Sequence, residues 1–409
     1  MKFFKFFLFG LLSMVTAFGS SSSLSDGLDA ARSIISEHTE VIYIAGVSPI
    51  IALNTYAGKY EKALFSTALN GMEITGDVRV IRALKSKMQM TELLIGDGVR
   101  PYNKTEQIRA TMEYKPRVLE ADLWKREEEI EIKEYYETWL EEQLAAAEGS
   151  SATQKRIPFA QDTWNQFLAK IYSEINDKTT YHGFDKSDAV AFAPGDTYSA
   201  GDYITYTSAD GIEDYWKCEA DTSAGEDPED TPAKWTKVNA EAITPGFGYR
   251  IQELIDASLL TATTIGAIDN NNVYAYAAFT ELFRALAKPY RKMGVIAYCS
   301  YTDFDYLLDD FEVQVGKYTE SERNWVNNRG IYLPKSNRKC LVLPCTWMDG
   351  TRRIIMTPMR NMLMGTDMMS DYNKIAEVKS ELWTAKYGVS GNLGFQIQDP
   401  KAMVINDQA

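Results

Sequence analysis

The chain has 409 residues, of which 45% are hydrophobic, 24% charged and 12% aromatic. This composition is typical of a folded protein and excludes disordered, collagen-like and disulfide-scaffold chains. The net charge of −14 disfavours a protein that wraps DNA to read its sequence, because phosphate binding needs clustered Lys and Arg.

The first residues, 1–23, allow two interpretations. They hold two lysines, an apolar stretch from Phe6 to Leu12 and small residues near Ala17, a pattern typical of a secretory signal peptide. The alternative is an apolar N-terminal arm that docks on a partner subunit. The apolar stretch is too short and too interrupted to span a membrane, and no later stretch of the sequence reaches that length.

The next segments combine short elements with a long polar connection. Residues 24–100 alternate helical patterns with apolar stretches. Residues 97–118 are polar and carry glycine and proline, which predicts an extended hairpin or loop. Residues 120–142 hold ten acidic and three basic side chains, a net charge of −7, which is typical of a solvated face.

The clearest predicted helix covers residues 157–182. Pro158 at its start and Gly183 after its end are typical of helix boundaries. Apolar side chains recur along it at helical spacing, namely Trp164, Phe167, Leu168, Ile171, Tyr172 and Ile175. Such a helix is about 34 Å long, so its single apolar stripe needs a sheet or a partner laid along it.

Residues 194–238 differ in composition from the rest of the chain. They hold eleven acidic side chains, three lysines and six aromatics, a net charge of −8. Short alternating strands separated by turn residues predict a small all-β insertion. The acidity of the chain is therefore local, because the residues outside 120–142 and 194–238 are close to neutral in total.

An α/β pattern resumes after the insertion. Helices are predicted near Gly248–Leu259, near Tyr274–Ala287 with Pro289 ending it, and near Phe304–Phe311. Strands are predicted at Val295–Cys299, Cys340–Leu343, Arg353–Thr357, Ile375–Lys379, Phe395–Gln398 and Met403–Ile405.

The sequence contains no recognisable catalytic motif. Nucleotide-binding glycine loops, zinc-protease and nucleophile-elbow patterns are all missing. His182 follows the long helix without a nucleophile pattern beside it, and the four cysteines form no paired motif and are predicted to be free and buried. We therefore predict no catalytic residue, no metal site, no cofactor and no enzyme activity.

Several features occur in an order that resembles a known family. A polar hairpin leads into Tyr114-Lys-Pro-Arg117, the long helix follows, and Pro245-Gly-Phe247 precedes another helix. The runs at 353–365 and 388–404 close the series. Together these features cover most of residues 85–183 and 241–409. Their order resembles the major capsid protein of a tailed bacteriophage with the Hong Kong 97-type fold.

The resemblance implies an α+β fold with named parts. They are an N-terminal arm and helical region at 1–80, an E-loop hairpin region at 81–118, a P domain at 119–183 with the spine helix 157–182, an A domain at 184–193 and 239–385, the all-β insertion at 194–238, and C-terminal strands at 386–409 that return to the core. In this family the hairpin and the arm lie on neighbouring subunits.

The resemblance also implies a function and partners. The chain would self-assemble into hexamers and pentamers of an icosahedral shell that encloses double-stranded DNA without reading its sequence. A portal and other capsid proteins would be partners, and the location would be the virion, assembled in the bacterial host cytoplasm.

The insertion carries a second resemblance. The stretches beginning at Tyr198, Tyr215 and Trp235 are similar to small carbohydrate-binding modules of the chitin-binding type. This likeness implies that Tyr206, Trp216 and Trp235 stack on a glycan. Alternatively, these aromatics fill the core of a small module that has little else to bury. A secreted or periplasmic carbohydrate-binding protein is accordingly the alternative function.

Overall fold

The structure is a computed structural model of the chain. It describes residues 72–95, 112–131, 159–268, 274–315, 329–334, 336–367, 379–381 and 384–408. These residues form a mixed α+β fold in which several small sheets are joined by few helices. The predicted N-terminal arm at 1–23 lies outside the described residues.

Most of the described elements are short, and the longest are two helices of 16 and 15 residues and one strand of 14 residues. The helices are α1 Ile74–Asp77, α2 Phe159–Glu174, α3 Thr180–His182, α4 Phe247–Asp256, α5 Ala275–Ala285, α6 Lys288–Met293 and α7 Tyr301–Val315. The strands are β1 Arg79–Ile81, β2 Lys87–Ile95, β3 Met112–Glu120, β4 Asp122–Glu131, β5 Val190–Ala191, β6 Tyr203–Thr207, β7 Glu213–Cys218, β8 Trp235–Lys237, β9 Val295–Cys299, β10 Ile331–Tyr332, β11 Cys340–Pro344, β12 Ile355–Thr357, β13 Met362–Gly365, β14 Lys379–Glu381, β15 Thr384–Ile397 and β16 Val404–Ile405.

The first sheet is built around the long strand β15. Its order is β1-β13-β15-β14, and β4 pairs with β15 from Asp122↔Leu393 to Glu131↔Thr384. The apolar stripe of α2 packs on this sheet, where Trp164, Leu168 and Ile171 share one core with Val389 and Leu393. The sequence prediction that a sheet lies along the long helix is confirmed.

The second sheet has the order β10-β11-β9-β12-β16. Strands β9 and β11 are parallel, whereas β12 runs antiparallel to both β9 and β16. Helices α5 and α7 cover this sheet, and Phe279, Leu282 and Phe311 pack against the strand residues Ala297 and Val342. All four cysteines are free and buried, as predicted.

The long helix contains a turn that the sequence did not predict. α2 continues into a π turn at Ile175–Thr179 and then into α3, so the predicted helix is confirmed from residue 159 to His182. Gly183 follows it, but with φ −57° rather than a left-handed conformation. Glycine is needed there because a Cβ would lie 2.3 Å from the Thr244 carbonyl oxygen.

One helix boundary predicted after the insertion was wrong. α5 ends at Ala285, and Pro289 occupies the first turn of the separate helix α6 instead of ending the helix before it. Proline is tolerated there because first-turn N–H groups have no partner within a helix. The strand predicted at 375–379 lies outside the described residues except for Lys379, where β14 begins.

Candidate functional site

A two-stranded ribbon formed by β2 and β3 carries several exposed residues; we call it the arm, and it is distinct from the N-terminal arm predicted at 1–23. The strands pair over their full length, from Lys87↔Glu120 to Ile95↔Met112. Nine paired residues correspond to a ribbon about 30 Å long. Of the stretch 97–118, predicted to be an extended hairpin or loop, residues 112–118 are described; they belong to β3, which pairs with β2 from Lys87 onward, inside the region 81–118.

The base of the arm is anchored to the body of the chain. Leu119 is fully buried and packs with Leu84, Met90 and Leu363. The Gln396 side-chain amide donates a hydrogen bond to the Val118 carbonyl oxygen at 2.9 Å. These contacts hold the arm at the residues nearest the first sheet.

At Thr91 and residues 114–116 the arm is exposed on both faces. Thr91, Lys115 and Pro116 are exposed, and the Tyr114 side chain is 65% exposed. An isolated two-stranded ribbon is only marginally stable in water, because it buries too little apolar surface. Thr91 and residues 114–116 therefore offer an apolar and hydrogen-bonding surface that is open to solvent.

The acidic strand β4 follows the arm directly. Lys125, Glu127 and Glu129 are exposed along one face of this strand. Arg126 points to the other side, where its guanidinium lies 2.5 Å from the Glu174 carboxylate of α2. The predicted solvated face is confirmed for the described part of 120–142, and residues 132–142 lie outside the description.

The insertion is a four-stranded sheet with the order β5-β6-β7-β8. Its first strand, Val190–Ala191, comes four residues before the predicted boundary at 194. Trp235 is 4% exposed, and its ring packs against Tyr198 with a centroid distance of 5.7 Å. Trp235 therefore belongs to the core of the insertion, as the alternative interpretation expects, and has no open face for a sugar ring.

Tyr206 and Trp216 are half-buried at the margin of the same core. The Lys237 ammonium lies 5.9 Å from the Trp216 ring centroid, and the Tyr206 hydroxyl lies 3.5 Å from a carboxylate oxygen of Asp227. Desolvation, and next the Asp227 carboxylate, raise the pKa of the Tyr206 hydroxyl, which keeps it able to donate a hydrogen bond. A role of these residues in glycan binding stays a prediction.

The opposite face of the insertion is seated on the body of the chain. Tyr203 stacks on Phe184 with a centroid distance of 4.0 Å and an interplanar angle of 17°. The Asn239 side-chain oxygen accepts a hydrogen bond from the Tyr215 N–H at 2.7 Å. The insertion therefore packs against the residues that flank it, and these contacts fix its orientation.

A buried polar cluster joins α1, the π turn and the second sheet. Glu73 accepts hydrogen bonds from the backbone N–H and the hydroxyl of Thr346, at 3.0 and 2.6 Å. The Asn176 amide donates to the same hydroxyl at 2.7 Å, and Trp347 donates to Asp77 at 3.1 Å. Burial raises the pKa of Asp77. These hydrogen bonds link the segment before the first sheet to the segment after β11, so the cluster joins the two sheets.

The described residues contain no arrangement that indicates catalysis. His182 bonds through Nε2 to the Asp349 carbonyl oxygen at 2.8 Å, which is a structural contact. Within the described ranges, His, Cys, Asp and Glu side chains form no group of three suited to a metal ion. Among the helices of those ranges, none is long and apolar enough to cross a membrane.

Comparisons with known proteins follow this geometry. No family model and no curated protein matches the chain. The chain is similar to the solved structure of the satellite phage P4 procapsid including size determination (Sid) protein, with 10% identity and a TM-score of 0.46, over 92% of this chain and 96% of that chain. It is also similar to the capsid of Myoviridae phage XM1, with 12% identity and a TM-score of 0.42, over 82% and 90% of the two chains. A third similar structure is the virus-like particle from Pyrococcus furiosus, with 13% identity and a TM-score of 0.39, over 88% and 100%.

Proposed function

We propose that this chain is a shell subunit, the major capsid protein of a tailed bacteriophage, which assembles with many copies of itself. The observation that carries the proposal is the arm, which is anchored through Leu119 and uncovered at Tyr114. A ribbon with both faces in solvent gains stability when it lies on another protein surface. A second copy of the chain supplies such a surface at every position of a closed shell.

In this proposal the fold is of the Hong Kong 97 type. The arm is the E-loop, the helix running from α2 to α3 is the spine of the P domain, and the second sheet with α5 and α7 forms the A domain. The shell would be built of hexamers and pentamers, would enclose double-stranded DNA in the virion, and would assemble with a portal in the bacterial host cytoplasm.

Sedimentation and negative-stain microscopy of the purified full-length chain test this proposal. We expect closed particles, rings or sheets that sediment far faster than a 46.1 kDa monomer. A chain that stays a compact monomer at all concentrations, with the arm protected from proteolysis, would contradict it.

A glycan-binding role for the insertion is a second candidate function. It is favoured by the half-open rings of Tyr206 and Trp216, which lie beside the charged Lys237 and Asp227 side chains. In a shell subunit this module would contact glycans from the outer surface. In the alternative, a secreted or periplasmic carbohydrate-binding protein, the first residues would be removed, so mass spectrometry of the purified chain separates the two functions.

A further inference from the structure

Four chain segments that are far apart in sequence meet at one end of the second sheet. The register pairs Val295 with Cys340, Ile296 with Thr357 and Met356 with Val404. The start of β9, the start of β11, the end of β12 and the start of β16 therefore lie side by side. The connecting segments 288–294, 336–339, 358–361 and 399–403 consequently share this end of the sheet.

Hydrogen bonds hold these connections together. The Val295 N–H donates to the Lys339 carbonyl oxygen at 2.7 Å. The Tyr290 hydroxyl donates to the Asp399 carboxylate at 2.7 Å, and the Asn361 amide donates to the Asp399 carbonyl oxygen at 2.8 Å. The surface that they form is thus a fixed part of the fold.

This surface, which we call the basic end, is strongly cationic. Its charged side chains are Lys288, Arg291, Lys292, Arg338, Lys339, Arg360 and Lys401. All are exposed except Arg291, which is half-buried. None of the seven forms an ion pair with a carboxylate of the part of the chain that the structure describes. Asp399 is the one carboxylate in the four described segments, and it already accepts the Tyr290 hydroxyl. In a chain of net charge −14, seven cations without described counter-charges make this end of the sheet locally positive, and a positive surface attracts anionic partners.

We propose that the basic end binds the phosphodiester backbone of nucleic acid without reading its sequence. Lys and Arg that project from a rigid surface with few interleaved carboxylates are what phosphate contacts use. Four of the seven cations are lysines, which are depleted in protein–protein interfaces. The exposed Met293 and Met359 side chains lie in the same segments, and methionine is common in protein interfaces. An acidic surface of a second copy is therefore the competing partner, and the test must distinguish it from nucleic acid.

The proposal deepens the proposed function, because it names the residues through which a shell subunit would touch enclosed DNA. The test compares the full-length chain with the triple variant Lys288→Gln, Arg291→Gln, Lys292→Gln. A matched control, Lys125→Gln, Lys170→Gln, Lys178→Gln, removes the same charge from exposed lysines outside the basic end. Binding to a fluorescent DNA duplex is measured by anisotropy over a salt series, and assembly is measured by sedimentation.

We expect the triple variant to bind the duplex at least about tenfold more weakly at low salt, with the slope of log K against log salt reduced by about 2 to 3. The DNA affinity of the control variant should stay within about twofold of that of the unmodified chain. Unchanged DNA affinity of the triple variant would overturn the proposal. If the triple variant also no longer assembles, the basic end is an interface between copies of the chain. A chain that never forms particles, yet binds DNA through these residues, would contradict the proposed function and leave the basic end supported.

Discussion

The Arg329 guanidinium lies 2.6 Å from a carboxylate oxygen of Asp77, a side chain that is fully buried. The same carboxyl group accepts a hydrogen bond from the Trp347 indole, and the Tyr298 hydroxyl donates to the Asp77 backbone carbonyl at 2.5 Å. Asp77 therefore bonds to three residues that each lie more than two hundred positions away from it in sequence. This ion pair is the charged centre of the buried polar cluster that joins the two sheets.

Removing the cation of this pair should destabilise the fold. Arg329→Met leaves the Asp77 carboxylate buried without its counter-charge, and we expect a loss of about 1–3 kcal/mol in the free energy of unfolding, moderated because Arg329 is half-exposed. Urea unfolding followed by tryptophan fluorescence measures the change. Lys178→Met, which removes an exposed cation, is the control and should change the midpoint little. Equal midpoints for the two variants would show that the pair contributes nothing.

Asp303 should make stability depend on pH. Burial raises the pKa of this carboxyl from its ordinary value of 3.8 to about 6, against the opposing effects of Arg352 at 3.0 Å and of Ser300. The native state therefore binds a proton more tightly than the unfolded state, so the contribution of Asp303 to stability is present at low pH and is lost as the pH rises through about 6.

Asp303→Asn should flatten the change of the urea midpoint between about pH 4 and pH 6. Asp305→Asn, at an exposed position on the same helix, should leave the pH profile as it is in the unmodified chain. An Asp303→Asn profile that matches that of the unmodified chain would contradict the assignment.

The glycine after the long helix should not tolerate a side chain. In Gly183→Ala the new Cβ would meet the carbonyl oxygens of Thr244 and Thr179 at 2.3 and 2.6 Å. The backbone must shift to relieve these contacts, and we expect destabilisation by about 1–3 kcal/mol or more. Gly195→Ala is a matched control, because nothing lies within 4 Å of a Cβ there. Thermal unfolding of the two variants gives the comparison.

Substitutions of the two tryptophans of the insertion should distinguish a role in core packing from a role in glycan binding. Trp235→Ala removes a buried ring, and we expect a loss of about 3–5 kcal/mol in the stability of the insertion. Trp216→Ala should have a smaller effect on stability, because the ring is only half-buried. If the insertion binds a glycan, Trp216→Ala should abolish retention on immobilised chitin while the insertion remains folded by circular dichroism.

The arm should matter to assembly and little to the isolated chain. Tyr114→Ser changes a side chain that is 65% exposed, so the unfolding midpoint of unassembled chain should stay nearly constant while particle yield falls. Lys178→Ser, at another exposed site, serves as the control for yield. Particle formation at the unmodified level by Tyr114→Ser would remove Tyr114 from the assembly surface.

The amino-acid sequence determined the elements whose signal is local. The apolar stripe from Trp164 to Ile175 set the long helix and its need for a sheet, because side chains at helical spacing share one face whatever surrounds them. The strand Val295–Cys299 was predicted at its observed bounds, since a short apolar run between breakers carries its own signal. The alternating aromatics of the insertion likewise indicated a small β module.

Only the tertiary structure decided which distant residues meet. The pairing of β15 with β4, the contacts of Asn176 with Thr346, and the gathering of Lys288, Lys339 and Lys401 at one end of a sheet depend on strand register and chain topology. Periodicity along the chain contains no information on such contacts, because residues more than about a dozen positions apart are brought together only when complementary surfaces pack. Burial decided the role of Trp235 for the same reason: the sequence shows that an aromatic is present, and the packed fold determines whether its ring faces solvent.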